Sequence, residues 1–188
     1  EAESAKMGMY YQNAHITIAA ECCPNPHTSF LARRRDVSAA DFDFSRGHEA
    51  KNTVRAQLAA THQKHDSENL GPLGDRAWAF QERVLSTRVL SYTERGILWE
   101  CKATSASEDG NPPTKFNRLP VLSMFASNLA SYPFERWRSM IEFYSWRQLT
   151  FDTDKLPAIS GLASKIYDVT RSPYMAGLWK ANLPADLM

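Results

Sequence analysis

The chain alternates between segments with regular apolar spacing and segments without it. In the first segment, Met7, Tyr10 and Tyr11 recur at helical spacing, which predicts a helix that begins near Glu3. We expect this helix to end near Asn13, because Asn favours the left-handed backbone at a helix end.

A short apolar run, His15 to Ala20, follows the first helix directly. Its β-branched residues are typical of a strand covered on both faces, so a helix followed by this strand predicts an α/β layer. The apolar spacing is then lost among Pro, Arg, Asp, His and Ser. We therefore expect a surface insertion over 21–74, with one helical segment from about His48 to Gln63.

Regular spacing returns after a Pro-Leu-Gly-Asp turn. Asp75 is expected to cap a helix from Arg76 to Leu85 that buries Trp78. Two β-rich stretches, Arg88 to Thr93 and Gly96 to Cys101, are separated by a short polar turn and predict a β-hairpin.

The last third of the chain is predicted to be helical. Apolar spacing indicates one helix from Phe134 to Ser145, a second that begins near Asp154 and a third from Tyr174 to Leu183. Gly161 and Gly177 would allow helices to pack closely. The predicted fold class is therefore α/β with a helical C-terminal layer.

Composition narrows the class of protein. The 188 residues include 22 Lys and Arg against 21 Asp and Glu, a net charge of +1 that does not favour nucleic acid as a partner. No run approaches the roughly 20 apolar residues of a membrane span. Cys22, Cys23 and Cys101 form neither a disulfide framework nor a metal motif, and the histidines lack zinc-like spacing, so we expect a cytoplasmic protein without a metal.

The densest motif lies between Arg76 and Cys101, as RAWAFQERVLSTR followed by WEC. It matches the R-x-W-x-x-Q-E-R-x-L-S-x-R and W-E-C signatures of the fungal heterokaryon-incompatibility (HET) domain. Two further blocks resemble that family in the same order. These are the segment ESAKMGMYYQNAHITIAA and the Y-S-x-R-x-L-T-x-x-x-D-x-L pattern from Tyr144 to Leu156.

The resemblance covers nearly the whole chain and implies the C-terminal half of one HET domain over 1–188. The family pattern normally begins earlier, with two strands that this sequence does not contain. Membership implies a flavodoxin-like or TIR-like partial domain that acts in non-self-triggered programmed cell death and innate immunity in fungi. Its expected partners are other incompatibility proteins or further copies of itself, and no cofactor is implied.

The same resemblance assigns one catalytic candidate. Glu3 matches an acidic residue of the family's first helix, and in TIR-like proteins a helix glutamate can drive cleavage of NAD, which would then be a substrate. The alternatives are that Glu3 interacts favourably with the helix dipole, or that the chain is an inactive truncated remnant. A non-enzymatic effector module is the preferred interpretation.

The remaining motif residues are expected to be structural. Arg76, Glu82 and Arg83 would form a partly buried ion-pair network that links the helix to the hairpin, the alternative being a phosphate or acid-binding site. Asp154 or Thr153 is expected to cap the helix that follows, and Arg147 is expected to fix the loop. In the second strand Trp99 and Cys101 share one face, which we expect to be core, and Glu100 takes the other. The motif residues that we expect to be structural are Arg76, Trp78, Gln81, Glu82, Arg83, Arg88, Trp99, Glu100, Tyr144, Arg147 and Asp154.

Overall fold

The structure is a computed structural model that describes residues 4–31, 39–44, 52–57, 71–94, 96–108 and 129–188. Its helices in these ranges are α1 (Ser4–Asn13), α2 (Ala77–Leu85), α3 (Pro133–Ser145), α4 (Ser160–Thr170) and α5 (Leu183–Asp186), and 3-10 turns lie at Asp152–Asp154, Pro157–Ile159 and Lys180–Asn182. Its strands are β1 (Thr17–Ala19), β2 (Ala39–Phe44), β3 (Asn52–Gln57), β4 (Arg88–Tyr92), β5 (Ile97–Cys101), β6 (Ser105–Ser107), β7 (Tyr174–Met175) and β8 (Leu178–Trp179). The predicted α/β class is confirmed.

In the described part of the chain, four strands form a mixed sheet in the order β1-β4-β5-β6. β1 runs parallel to β4, with Thr17 opposite Val89, whereas β4 and β5 are antiparallel, with Val89 opposite Glu100. The predicted hairpin is therefore confirmed. Because cross-strand partners point to the same side, Val89 and Glu100 face α2 together.

The hydrophobic core lies between α2, α3, α4 and β8. α1 packs against α2 and α4. A Cβ atom on Gly8 would lie 3.3 Å from the Cα of Gly161, so the backbones of α1 and α4 approach closely at these two glycines. The close packing predicted at Gly161 is confirmed. The largest fully buried side chains of this core are Phe80, Val84, Met140, Leu162, Ile166 and Trp179.

One face of β1 is exposed, although both faces were predicted to be covered. Ala19 is buried, but Ile18 on the opposite face is 58% exposed, and β1 lies at the edge of its sheet. The prediction that both faces are covered is wrong. A β-branched apolar run fits an extended backbone on any partly covered sheet. The composition of a strand therefore does not show whether one face or both faces are covered.

The predicted helix from His48 to Gln63 is also wrong where it is described. Asn52–Gln57 is a strand, β3, paired antiparallel with β2. Its Thr53 and Val54 favour extended structure, and the partner strand satisfies the backbone. The other residues of this predicted helix lie outside the described residues, and the predicted insertion over 21–74 is described only in part.

The third C-terminal helix, predicted from Tyr174 to Leu183, is replaced mainly by a hairpin of β7 and β8. Ala176 and Gly177 at its turn have φ angles of 49° and 106°, which a continuing helix does not allow. Gly177 therefore serves this turn and does not permit close helix packing, since a Cβ there would meet nothing within 4 Å.

The predicted cap of α2 is wrong as well. The cap residue is Arg76, and no side chain caps the helix. Two backbone hydrogen bonds hold this end instead: Gln148 N–H donates to the Asp75 carbonyl at 2.7 Å, and Ala77 N–H donates to the Gln148 carbonyl at 2.9 Å. The segment after α3 thus takes the place of a capping side chain.

Candidate functional site

Arg83 is the centre of a buried ionic cluster between α2 and the sheet. Its side chain is 7% exposed, and Nη1 donates to Glu21 Oε1 at 2.5 Å. Nη1 also donates to Ser91 Oγ at 3.2 Å, and Nη2 donates to a carboxylate oxygen of Glu100. One guanidinium therefore pairs with two buried carboxylates. The predicted ion pairing between the helix and the hairpin is confirmed for Arg83, whose partner on the hairpin is Glu100.

Glu100 lies on the opposite face of β5 from Trp99, as predicted, and this is the more deeply buried face. Glu100 is 3% exposed, whereas Trp99 on the other face is only half-buried. The alternation along the strand was predicted correctly, but the assignment of the core face to Trp99 is wrong. The reason is Arg83, which compensates a carboxylate on the face that packs under α2.

Glu21 is the residue that the sequence analysis missed. It lies two residues after the end of β1 and is 2% exposed. Gly71 fixes its backbone, because a Cβ on Gly71 would lie 2.2 Å from the Glu21 carbonyl oxygen and the φ of Gly71 is 93°. The available signal was its position after a strand of a parallel pair, where polar site residues of α/β proteins collect.

The electrostatics of Glu21 are dominated by its burial. Burial raises the pKa of Glu21 to about 6, and Glu100 adds to the rise, while the positive charges of Arg83 and Arg147 oppose it. Glu21 Oε2 has no hydrogen-bond partner among the described residues. The carboxyl group is therefore harder to ionise than an exposed glutamate, and it retains an unused acceptor.

A small cleft opens beside this carboxyl group, between α1, β1, α2 and the segment before α2. Its volume is about 70 Å³. We call it the Glu21 cleft, and its lining residues are Tyr11, Thr17, Ile18, Ala19, Glu21, Leu73, Gly74, Ala79, Phe80, Glu82, Arg83, Val89 and Arg147.

Other predicted residues connect the cleft to the surrounding helices. Gln81 is buried, and its Oε1 accepts a hydrogen bond from Gly161 N–H at 2.7 Å. Glu82 accepts a hydrogen bond from the Tyr11 phenol. Burial is the largest cause of the raised pKa of Tyr11, and the hydrogen bond and the negative charge of Glu82 raise this pKa further. The phenol therefore stays neutral at physiological pH.

Tyr144 and Asp154 of the last motif also contact side chains of α2, which are Phe80 and Trp78 respectively. Trp78 is half-buried, not fully buried as predicted, and its Nε1 donates to Asp154 Oδ2 at 3.0 Å. Asp154 thus accepts a hydrogen bond from the indole of Trp78. It does not cap α4, which has no side-chain cap. Tyr144 is buried and donates to the Lys155 carbonyl at 2.7 Å. Burial, together with the Asp154 charge, raises the pKa of Tyr144 to about 12.

Arg147 links the third motif to the Glu21 cleft. Its Nη1 donates to the Gly74 carbonyl, and its guanidinium lies 4.8 Å from the centre of the Phe80 ring. The structure therefore gives Arg147 the loop-fixing role that was predicted, and it adds a positive charge to the cleft wall.

The remaining candidates lie away from this centre. Arg76 is exposed, and Arg88 donates to the His15 carbonyl at 3.3 Å. Glu3 lies outside the described residues. Over the described ranges, no group of three or more His, Cys, Asp or Glu side chains is arranged to hold a metal ion. In the same ranges, no helix is long and apolar enough to cross a membrane.

Comparisons with models of known protein families, with curated proteins and with solved structures found no match. The class that the fold defines is an α/β protein with a small mixed sheet. The resemblance to the HET domain rests on the sequence motifs alone.

Proposed function

We propose that this chain is part of a HET-type module that acts in non-self-triggered growth arrest and cell death in fungi. The observation that supports the proposal is the convergence of its separate motif blocks on α2. Trp78 contacts Asp154 of the third block, and Glu82 accepts a hydrogen bond from Tyr11 of the first block. Residues that are widely spaced along the chain thus share one structural centre.

In this proposal the motif residues have a structural role, and the module is an effector or adaptor. Gln81, Arg83 and Trp78 each use hydrogen bonds on partners within the chain, so their role in the proposal is to hold the helices and sheet in register. In this proposal the module has a flavodoxin-like or TIR-like arrangement, acts in the cytoplasm and signals through clustering with itself or with other incompatibility proteins.

Inducible expression in a filamentous fungus tests the proposal. The chain would be fused to a domain that dimerises on addition of a small molecule, and hyphal growth and dye exclusion would be followed after dimerisation. We expect growth arrest and death with the unsubstituted chain and with Glu142→Gln, an exposed charge change on α3. Normal growth at matched levels of folded protein would reject the proposal.

The same cells decide between the module and the alternative, an NAD-cleaving enzyme that uses Glu3. NAD would be measured in parallel, with Glu3→Gln as the variant. Death without loss of NAD, and equal in the variant, supports the effector module. Loss of NAD that disappears in the variant together with death would replace it by the enzyme.

A further inference from the structure

We propose that the Glu21 cleft binds the primary ammonium group of a small alkylamine, with Glu21 Oε2 as the hydrogen-bond acceptor. This site is independent of the proposed role in cell death. The argument combines an unused acceptor, the charge of the surroundings and the apolar walls of the cleft.

The unused acceptor is the first reason. Glu21 is 2% exposed, and Arg83 occupies Oε1, whereas Oε2 has no hydrogen-bond partner among the described residues. A buried carboxylate oxygen without a donor is costly, so a ligand with N–H donors gains a charge-assisted hydrogen bond there. Glu21 is one of the residues that line the cleft, so the proposal places the ammonium group against this carboxyl group.

The surrounding charge selects a cation. The lining carries Glu21 and Glu82 against Arg83 and Arg147, and Glu100 lies behind Arg83. Three carboxylates against two guanidinium groups leave one negative charge when all are ionised. Tyr11 of α1 is the other titratable lining group, and it is neutral while it donates to Glu82. An anion would be repelled by this balance, and a monovalent cation would neutralise it.

The walls select an organic cation over a metal ion. Ile18, Leu73, Phe80 and Val89 contribute aliphatic and aromatic surface to the cleft. The described residues provide no group of three His, Cys, Asp or Glu side chains for a metal. A volume of about 70 Å³ accommodates an ammonium with a short alkyl chain, whose methylene groups would pack on the apolar walls.

The protonation of Glu21 gives the site a characteristic pH dependence. Burial raises the pKa of Glu21 to about 6, so the empty cleft takes up a proton on mild acidification. A bound ammonium favours the charged carboxylate and releases that proton. Amine binding should therefore be complete above neutral pH and weaken as the pH falls through 6, the folded pKa of Glu21; the other charged groups that face this carboxyl group are Arg83, Arg147, Glu82 and Glu100.

Titration of the 188-residue chain with propylammonium chloride, followed by NMR and calorimetry at pH 7.5, is the test. Tetramethylammonium is the matched cation without N–H donors, and 1-propanol is the neutral analogue. We expect saturable binding of propylammonium, with both analogues at least about tenfold weaker, as loss of a charged hydrogen bond implies. Equal binding of tetramethylammonium, or no saturable binding of propylammonium, overturns the proposal and leaves a cleft that holds water only.

Two variants locate the binding. Ala79→Leu fills the cleft without removing a charge, and Glu21→Gln removes the carboxylate. Each should weaken propylammonium binding at least about tenfold, while Glu142→Gln on the exposed face of α3 leaves it unchanged. Glu21→Gln also alters the buried cluster. If that variant does not fold, the binding measured with Ala79→Leu tests the site. Unchanged binding in a folded Ala79→Leu protein places the amine elsewhere and refutes the site.

Discussion

The indole nitrogen of Trp78 donates a hydrogen bond of 3.0 Å to Asp154 Oδ2, although the two residues lie 76 positions apart. This bond joins the start of α2 to the 3-10 turn that precedes α4. We expect Trp78→Phe to lower the free energy of unfolding by about 1–2 kcal/mol, because the acceptor is a carboxylate. Urea denaturation in the background of Asp154→Ala is the check. An equal loss in both backgrounds would mean that the bond contributes nothing.

Loss of the guanidinium at the centre of the buried cluster should be far more damaging. Arg83→Met leaves Glu21 and Glu100 without their compensating charge, so we expect a loss of about 3–5 kcal/mol in the free energy of unfolding. Arg171→Met is the matched control, because its ion pair with Asp168 is exposed and should matter by less than about 1 kcal/mol. Similar losses in the two variants would contradict the buried cluster.

The raised pKa of Glu21 predicts how stability varies with pH. Its folded pKa is about 6 and its ordinary value is 4.5, so the folded state binds the proton more tightly. The resulting stabilisation is complete below 4.5 and is lost as the pH rises through 6. Relative to Glu21→Gln, the unsubstituted protein should lose about 2 kcal/mol over this window. Urea midpoints measured from pH 4 to 7.5 test this, and a constant or growing advantage would refute it.

The packing of α4 on α2 depends on the missing side chain of Gly161. An ideal Cβ there would lie 3.0 Å from both Gln81 Oε1 and Leu85 Cδ1 of α2, so Gly161→Leu forces α4 away from α2. We expect a loss of about 1–3 kcal/mol in thermal or urea denaturation. Ser164→Ala, an exposed change on the same helix, should have little effect. Unchanged stability of Gly161→Leu would show that this packing is loose.

The sequence predicted correctly the elements that have regular apolar spacing or characteristic turn residues within their own segment. The helical spacing around Met7 gave α1, and the apolar stripe from Phe134 to Ser145 gave α3. The two strands and short turn after Arg88 gave the hairpin. In each case the periodic apolar side chains and the turn residues agree with one local structure.

The failures share a physical cause, which is that a distant partner decides the outcome. Glu21 is buried because Arg83 lies opposite it, and the α2 terminus is held by Gln148 and not by Asp75. Neither relationship has a periodic signature. In the same way, α2 decided which face of β5 is covered, so Glu100 and not Trp99 faces the interior.

The two carboxylates of the Arg83 cluster also imply an order of folding. The bond to Glu100 spans 17 positions, whereas the bond to Glu21 spans 62. Closing the shorter loop costs less chain entropy, so Arg83 and Glu100 meet early, when α2 packs on its own hairpin. The segment of α1 and β1 then docks on a pair that is already neutral. It is also the segment that can open first without leaving Arg83 unpaired. The amide hydrogens of α1 and β1 should therefore exchange before those of α2 and the hairpin.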